Sequence, residues 1–394
     1  MSEKPDRAAA AVPAEALYTR CEPATLPFET TAELESLEEI GGQRRAAEAV
    51  RFAVGMTHDG YNPFAFGPEG TGKYSFIRRY LERAAAEAPL PPDWCYVNNF
   101  DEPHRPRALE LPAGRACPFR DDMAQLVDEL KLAIPAAFES DEHRNRKSAI
   151  QEQFKERQEE AFGTLQTRAK EHDIALIRTP VGLALAPIRD GEVLNPKEFE
   201  ALPEDEKQHR RTVSEELQRE LETLLHQIPG WEREQRQELR DLDRETTMFA
   251  VGHLIDELKR NWQDEPAVIA HLDAVSNDVI DNAEAFLPQE AEGPHLLVGG
   301  RAPSGSAVVR RYQVNVIVDQ NRRESGRTAK PAEGAPVVYE DHPTQPNLIG
   351  RTEHISQFGT LITDFNLIKG GALHRANGGW LIVDAHKLLT QPFA

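Results

Sequence analysis

Only three cysteines, four tryptophans and four methionines occur in the 394 residues. Cys21, Cys95 and Cys117 are widely spaced and form no C-x-x-C pair, which argues against a disulfide frame or a cysteine zinc site and suits reduced thiols. Positive charge is also short: 46 Lys and Arg against 66 Asp and Glu leave a formal charge of −20. That balance argues against a nucleic-acid backbone or an anionic membrane as partner. No apolar run approaches the roughly 20 residues that span a bilayer. Met1 to Pro13 lacks the basic start and apolar core of a signal peptide. The expectation is a soluble, cytoplasmic protein with no nucleic-acid or membrane partner.

What the sequence does contain is a glycine-rich loop. The apolar run Phe64-Ala65-Phe66 leads into Gly67-Pro68-Glu69-Gly70-Thr71-Gly72-Lys73. In G-x-x-x-x-G-K the glycines let successive backbone N–H groups turn inward as an anion nest, and the lysine adds charge at the β- and γ-phosphates. Phe76, Ile77, Tyr80, Leu81 and Ala84 then recur at helical spacing, so the loop is predicted between a buried strand and a helix N-terminus, where phosphate is favoured. Nucleotide-binding candidates are Gly67, Pro68, Glu69, Gly70, Thr71, Gly72, Lys73 and Tyr74, with ATP as the expected ligand. The plain alternative is a glycine turn with an incidental lysine. Tyr74 stands where the motif normally has the Ser or Thr that ligates Mg²⁺. Ser75 lies about 100° further round the helix and is a poor substitute.

A hydrophobic fraction of 39% with 28% charged residues indicates globular regions and at least one highly charged helical one. Residues 1–30 are rich in Ala, Pro and charge and read as a flexible arm, with order beginning near Leu37. Gly41-Gly42-Gln43 precedes a helix bearing Ala46, Val50, Ala53 and Val54 on one face. Trp94 to Val97 is a second strand closed by Asn98 and Asn99, so residues 31–115 suggest a βαβ-type start.

Residues 116–290 change character. Phe119, Met123, Leu126, Leu130 and Ile134 mark a helix ended by Pro135. A charged segment carrying Ile150, Phe154, Phe162 and Leu165 comes next. Apolar runs in 174–194, about Thr179-Pro180 and Asp190-Gly191, predict a small hairpin. Val213, Leu217, Leu221, Leu224 and Ile228 form a further helix that Pro229-Gly230 breaks, and Leu239, Leu242, Phe249 and Leu258 mark another. Narrow apolar stripes on charged helices suit an antiparallel coiled-coil arm; a solvated helical bundle is the alternative. Val268, Leu272, Val275, Val279 and Ile280 give the helix that leads out.

In 291–394, a Gly/Pro-rich loop covers Pro288 to Ser306, a strand covers Tyr312 to Val318, and a second loop covers Gln320 to Pro336. Trp380-Leu381-Ile382-Val383-Asp384 is an apolar strand ending in aspartate, where P-loop enzymes hold Mg²⁺ through a water. It is expected beside the strand that enters the phosphate loop. Ala385 stands where a water-orienting glutamate usually sits. The fold expectation is therefore α/β: a P-loop core of parallel sheet flanked by helices, interrupted by a long helical, coiled-coil-like insertion with a β-hairpin.

From about Leu26 to its last residue the chain resembles the AAA+ portion of Lon-related proteases, in particular the bacterial Lon-like (LonC-type) group with a helical insertion between the nucleotide motifs. The resemblance rests on Gly60-Tyr61-Asn62 before the phosphate loop, on Tyr96-Val97-Asn98-Asn99-Phe100 and on Phe249-Ala250-Val251-Gly252-His253-Leu254-Ile255. Its most specific stretches are Gly334-Ala335-Pro336-Val337-Val338-Tyr339-Glu340-Asp341 and Gly371-Ala372-Leu373-His374-Arg375-Ala376-Asn377-Gly378-Gly379. It implies hexameric homo-oligomeric rings that pass polypeptides to a serine protease domain with a Ser-Lys dyad. It also implies pore loops that grip substrate; Leu348 to Thr360 is the matching segment, with Ile349 and Phe358 as candidates, against a core role for either. Ala394 comes soon after Asp384, so the protease domain, its dyad and the arginine finger are expected outside this sequence, which then holds no catalytic residue of its own. Tyr74 and Ala385 match Lon-like proteins that work without ATP hydrolysis. A non-enzymatic oligomeric scaffold with a vestigial loop, and a P-loop ATPase unrelated to proteolysis, are the rival readings.

Overall fold

The computed structural model describes residues 13–34, 43–56, 58, 60–179, 182–189, 192–194, 199, 203–287, 309–322, 330–331, 334–357 and 359–393. The readings at Leu37, Gly41-Gly42, Pro180, Asp190-Gly191, Pro288 to Ser306, Phe358 and most of the loop before Pro336 lie outside these residues. The chain divides into two compact units, Met1–Leu81 and Glu82–Ala394.

In the first unit, short 3-10 turns at Ala14–Ala16, Pro23–Thr25 and Thr31–Glu33 precede helix α1 (Arg44–Gly55). Val50, Ala53 and Val54 are half-buried, Ala46 is exposed, and no residue of α1 is fully buried. Helix α2 (Lys73–Glu87) opens at the lysine of the glycine loop. The strand expected over Phe64-Ala65-Phe66 is not formed: the segment is irregular, with Phe64 73% and Phe66 92% exposed. A strand needs a neighbour for its backbone N–H and C=O groups, and the described residues of this unit include no other strand.

The second unit is built on a three-stranded sheet of order β2-β1-β6, formed by β1 (Asp93–Val97), β2 (Arg107–Leu111) and β6 (Asn315–Val318). Both neighbours run antiparallel to β1, which corrects the βαβ-type start. Asn99 accepts from the backbone N–H of Asp101 and Glu102 at 3.2 and 3.3 Å, so the chain turns and doubles back instead of crossing over. Alternation along β1 points Cys95 and Val97 into the core, against Leu109 and Leu111. The buried Asp93 carboxylate ties β1 to two segments beyond the sheet, accepting from the N–H of Ala116 at 3.0 Å and of Gln320 at 2.8 Å. Burial still raises its pKa above the ordinary carboxylate value.

Helix α3 (Ala116–Phe138) packs on this sheet through Phe119, Met123, Leu126, Leu130 and Ile134, all buried as their spacing predicts. It runs through Pro135 instead of ending there, because the missing N–H falls in the last turn and the Pro135 carbonyl still accepts from Glu139. Helix α4 (Asp141–Glu171) starts at an N-cap, with Ser140 Oγ accepting from His143 N at 3.2 Å. The predicted hairpin is present as β3 (Ile174–Thr179) and β4 (Gly182–Arg189), with β5 (Glu192–Val193) on its edge.

The chain then returns in one 58-residue helix, α5 (Glu204–Asn261), where two were expected. Pro229 removes one helical hydrogen bond, at a cost of about 3 kcal/mol. Packing on both sides offsets it. Leu217, Leu221, Leu224 and Trp231 pack with Leu165, Ala169 and Ile174, while Arg157 lies 4.8 Å over the Trp231 ring. Ion pairs Arg146–Glu245, Arg157–Glu234 and Arg168–Glu220 retreat along α5 as they advance along α4, so the two helices are antiparallel. Phe249, expected on the apolar face, is 89% exposed; Val251, Ile255 and Leu258 face the core instead.

Helix α6 (Pro266–Asp281) closes the main core with Val268, Leu272, Val275 and Val279; Ile280 is half-buried. His271 is buried between Phe100 and Phe119, and burial, helped by Arg107, pushes its pKa down to about 4. Tyr312 lies in a 3-10 turn before β6, donating its hydroxyl to Asp278 at 2.7 Å. Two small antiparallel pairs lie beyond β6: β7 (Asn321–Arg322) with β8 (Lys330–Pro331), and later β11 (Ile355–Gln357) with β12 (Thr360–Ile362). Between and after them come β9 (Val337–Glu340), α7 (Gln345–Leu348), β10 (Gly350–Thr352), β13 (Ile368–Gly370), α8 (Ala372–Arg375), β14 (Trp380–Val383) and α9 (Ala385–Leu389). Strand β10 pairs with β13 antiparallel, and β14 with β9 in parallel, Val383 opposite Glu340. Among the described residues that pair is the parallel sheet, and β9 takes the place expected for the strand before the phosphate loop.

Candidate functional site

The first candidate element is the glycine loop. Gly70 and Gly72 both have φ of 75°, a left-handed conformation that side chains other than glycine resist. The turn is held by Thr71 Oγ1 donating to the Pro68 carbonyl at 2.8 Å, and Gly72 O accepts the N–H of Phe76 at 2.9 Å as α2 begins. Lys73, half-buried at the first position of the helix, donates its ammonium to the Gly67 carbonyl. The loop thus combines a helix N-terminus, two left-handed glycines and a lysine folded across its mouth, which fits a phosphate group.

The same loop fits a metal poorly. Tyr74 sits where a hydroxyl ligand belongs, but its side chain runs along the helix and its hydroxyl accepts from Arg78 at 3.2 Å. The expected companion of the loop, Asp384, lies in the second unit, at the end of β14 and as the N-cap of α9. Its Oδ1 accepts from the N–H of His386 at 2.9 Å and of Lys387 at 3.1 Å. Those backbone bonds, that of Lys387 foremost, hold the carboxyl below the ordinary value. Ala385, the first residue of α9, contributes no carboxylate.

The structure adds residues whose part in this corner the sequence did not reveal. Strand β9 ends at Glu340, opposite Val383 of β14, and Asp341 follows it. Lys387 Nζ lies 2.5 Å from Asp341 Oδ1, which also accepts from the Tyr339 hydroxyl at 2.9 Å. These two bonds, the lysine's first, lower the Asp341 pKa. Arg375 pairs with Glu340 at 3.0 Å. The apolar strand pattern around Tyr339-Glu340-Asp341 was the available signal; the pairing with Lys387 has none. Among the described residues no group of three or more His, Cys, Asp or Glu side chains is arranged to hold a metal ion.

Of the two pore candidates, Ile349 is 55% exposed just after α7, which argues against a core role. Phe358 lies outside the described residues. The neighbouring hairpin of β11 and β12 exposes Ile355 and Leu361 at 41% and 68%. No described helix is long and apolar enough to cross a membrane.

A glycine loop that opens a helix and a parallel strand pair ending in aspartate are features of AAA+ proteins, a class that binds nucleotide in general. Comparison with known families finds two matches, neither of which covers the glycine loop. Residues 333–394, from just before β9 through α9, match the LonB-like AAA domain, and residues 93–126, covering β1, β2 and the start of α3, match the Lon-like LonC helical domain. Both matched segments support a relationship to the Lon-related AAA+ protease family. No curated protein matches it.

Proposed function

We propose that this chain is the nucleotide-binding and substrate-handling AAA+ portion of a Lon-like serine protease, and that it binds ATP with little or no turnover. One observation carries the reading: the left-handed Gly70 and Gly72 deliver the chain into α2 at Lys73, the geometry of a phosphate cradle. Backbone of Gly67 to Tyr74 holds the phosphates and Lys73 turns from the Gly67 carbonyl to them. Tyr74 and Ala385 supply neither the metal hydroxyl nor the carboxylate that hydrolysis uses, which supports binding without turnover. Asp384 then serves as the end of the second nucleotide motif.

In this proposal the domains are the arm at 1–30, the two core parts at 31–115 and 291–394, and the helical insertion at 116–290. The antiparallel α4–α5 pair reaches toward polypeptide substrates, Ile349 lines the passage, and a cytoplasmic homo-hexameric ring is the working form. Calorimetry of ATP binding, with phosphate release followed on the same sample, tests it. Binding without release is expected, and Lys73→Ala should weaken binding by more than about tenfold, since a charge-assisted contact to the phosphates is lost. The scaffold reading draws on one observation, the Lys73 ammonium being spent on the loop's own carbonyl. Absence of ATP binding, or equal affinity in Lys73→Ala, favours it.

A further inference from the structure

The corner where β9 and β14 end gathers two aspartates. The strands are parallel with Val383 opposite Glu340, so the next residues, Asp384 and Asp341, leave adjacent carboxyl ends side by side. Neighbouring strands lie about 4.8 Å apart, and such strand ends are where open α/β sheets bind ligands. Both carboxyls are held below the ordinary value, so the corner is supplied with hydrogen-bond donors and with a cation.

We propose that Lys387 is that cation, a built-in substitute for the divalent metal at the aspartate corner. The inference rests on the reading of Asp384 as the end of the second nucleotide motif. A single residue serves both carboxylates: the backbone N–H of Lys387 donates to Asp384 Oδ1 at 3.1 Å, while its ammonium reaches Asp341 Oδ1 at 2.5 Å. Helix α9 makes this possible, because a residue in its first turn is held over the strand end that the N-cap terminates. The remaining donors complete the set. Tyr339 bonds Asp341, His386 N–H bonds Asp384, and Arg375 pairs with Glu340. A metal ion entering this corner has to displace a covalently tethered ammonium. As an exposed ion pair, Lys387–Asp341 adds little to stability, so its effect is on which cation sits there.

The test uses Mn²⁺ alone, without nucleotide, on the full chain at low ionic strength, with free Mn²⁺ read by electron paramagnetic resonance. The double variant D341N/D384N supplies the background from the other acidic residues. Wild type is expected to match that background. Lys387→Met is expected to gain one Mn²⁺ that the added D341N/D384N changes abolish, at least about tenfold tighter than wild type. Lys387→Arg keeps the charge and is expected to remain metal-free. Lys387→Gln replaces Lys387→Met if circular dichroism shows the latter misfolded. Mn²⁺ bound by wild type and lost in D341N/D384N overturns the proposal, as does the absence of any gain when the charge is removed. Because no nucleotide is present, failure here leaves the phosphate-loop reading standing, and failure of the Lys73 test leaves this one standing.

Discussion

At the glycine loop a side chain at Gly70 or Gly72 would meet open space, and only their φ of 75° calls for glycine. Near the aspartate corner the glycines are enclosed. A Cβ on Gly379 would lie 2.0 Å from the Pro336 carbonyl oxygen, and one on Gly378 would lie 2.4 Å from Pro91 Cβ. The loop is therefore a local conformation, specified residue by residue along a short stretch. The corner is a tertiary construction in which Gly379 lets the chain entering β14 lie against Pro336 before β9, and Gly378 lets it lie against Pro91. Motif residues at the loop are separable from the fold, whereas motif residues at the corner are part of it.

The largest expected effect tests this difference directly. Gly379→Ala should cost about 3 kcal/mol, because backbone atoms have to shift to admit the methyl group, seen as a lower urea midpoint and loss of the β9–β14 pairing. An unchanged midpoint would break the comparison.

Acid sensitivity keeps the two ends distinct from the main core. His271 has a folded pKa of about 4 against an ordinary 6.5, so the unfolded chain binds its proton first. Stability should be full above pH 6.5 and fall as pH drops toward about 4, by up to about 3 kcal/mol at the limit of a fully expressed shift. In His271→Phe that slope should flatten, and a slope that persists would assign it to other groups.

Gly70→Ala should cost only about 1 kcal/mol, the strain of a left-handed alanine, and should weaken ATP binding more than it lowers the melting temperature. Equal damage from Gly70→Ala and Gly379→Ala would erase the distinction between loop and corner. The smallest effect belongs to Asp341 and Asp384, whose folded pKa values are depressed. Their contribution is present above the ordinary value of 3.8 and is lost as pH falls through the folded values. Carboxyl resonances of these two residues that titrate at or above 3.8 would contradict the bonds described.

Much of this was legible from residues alone. The periodicity of Phe119 to Ile134 and of Val268 to Val279 located two core helices, because a helix that packs on one side writes its face into the sequence every three to four positions. The glycine loop, the hairpin about Thr179 and the strand into Asp384 were legible for similar local reasons. What misled was also local. Pro135 and Pro229 look like stops, yet the first falls in a last turn and the second is held by the α4–α5 packing around Trp231. Phe64 to Phe66 has the composition of a strand but no strand neighbour among the described residues of its unit.

The sequence by itself determined the hairpin about Thr179, the apolar faces of α3 and α6, and that a glycine turn at Gly67 to Gly72 opens a helix at Lys73, since each comes from backbone freedom or side-chain period over a few residues. Only the tertiary structure decided that β1 runs between antiparallel partners, that β14 pairs with β9, and that Lys387 stands between Asp341 and Asp384. Those outcomes join residues distant in the chain, and strand pairing and charge contact depend on which segments packing brings together.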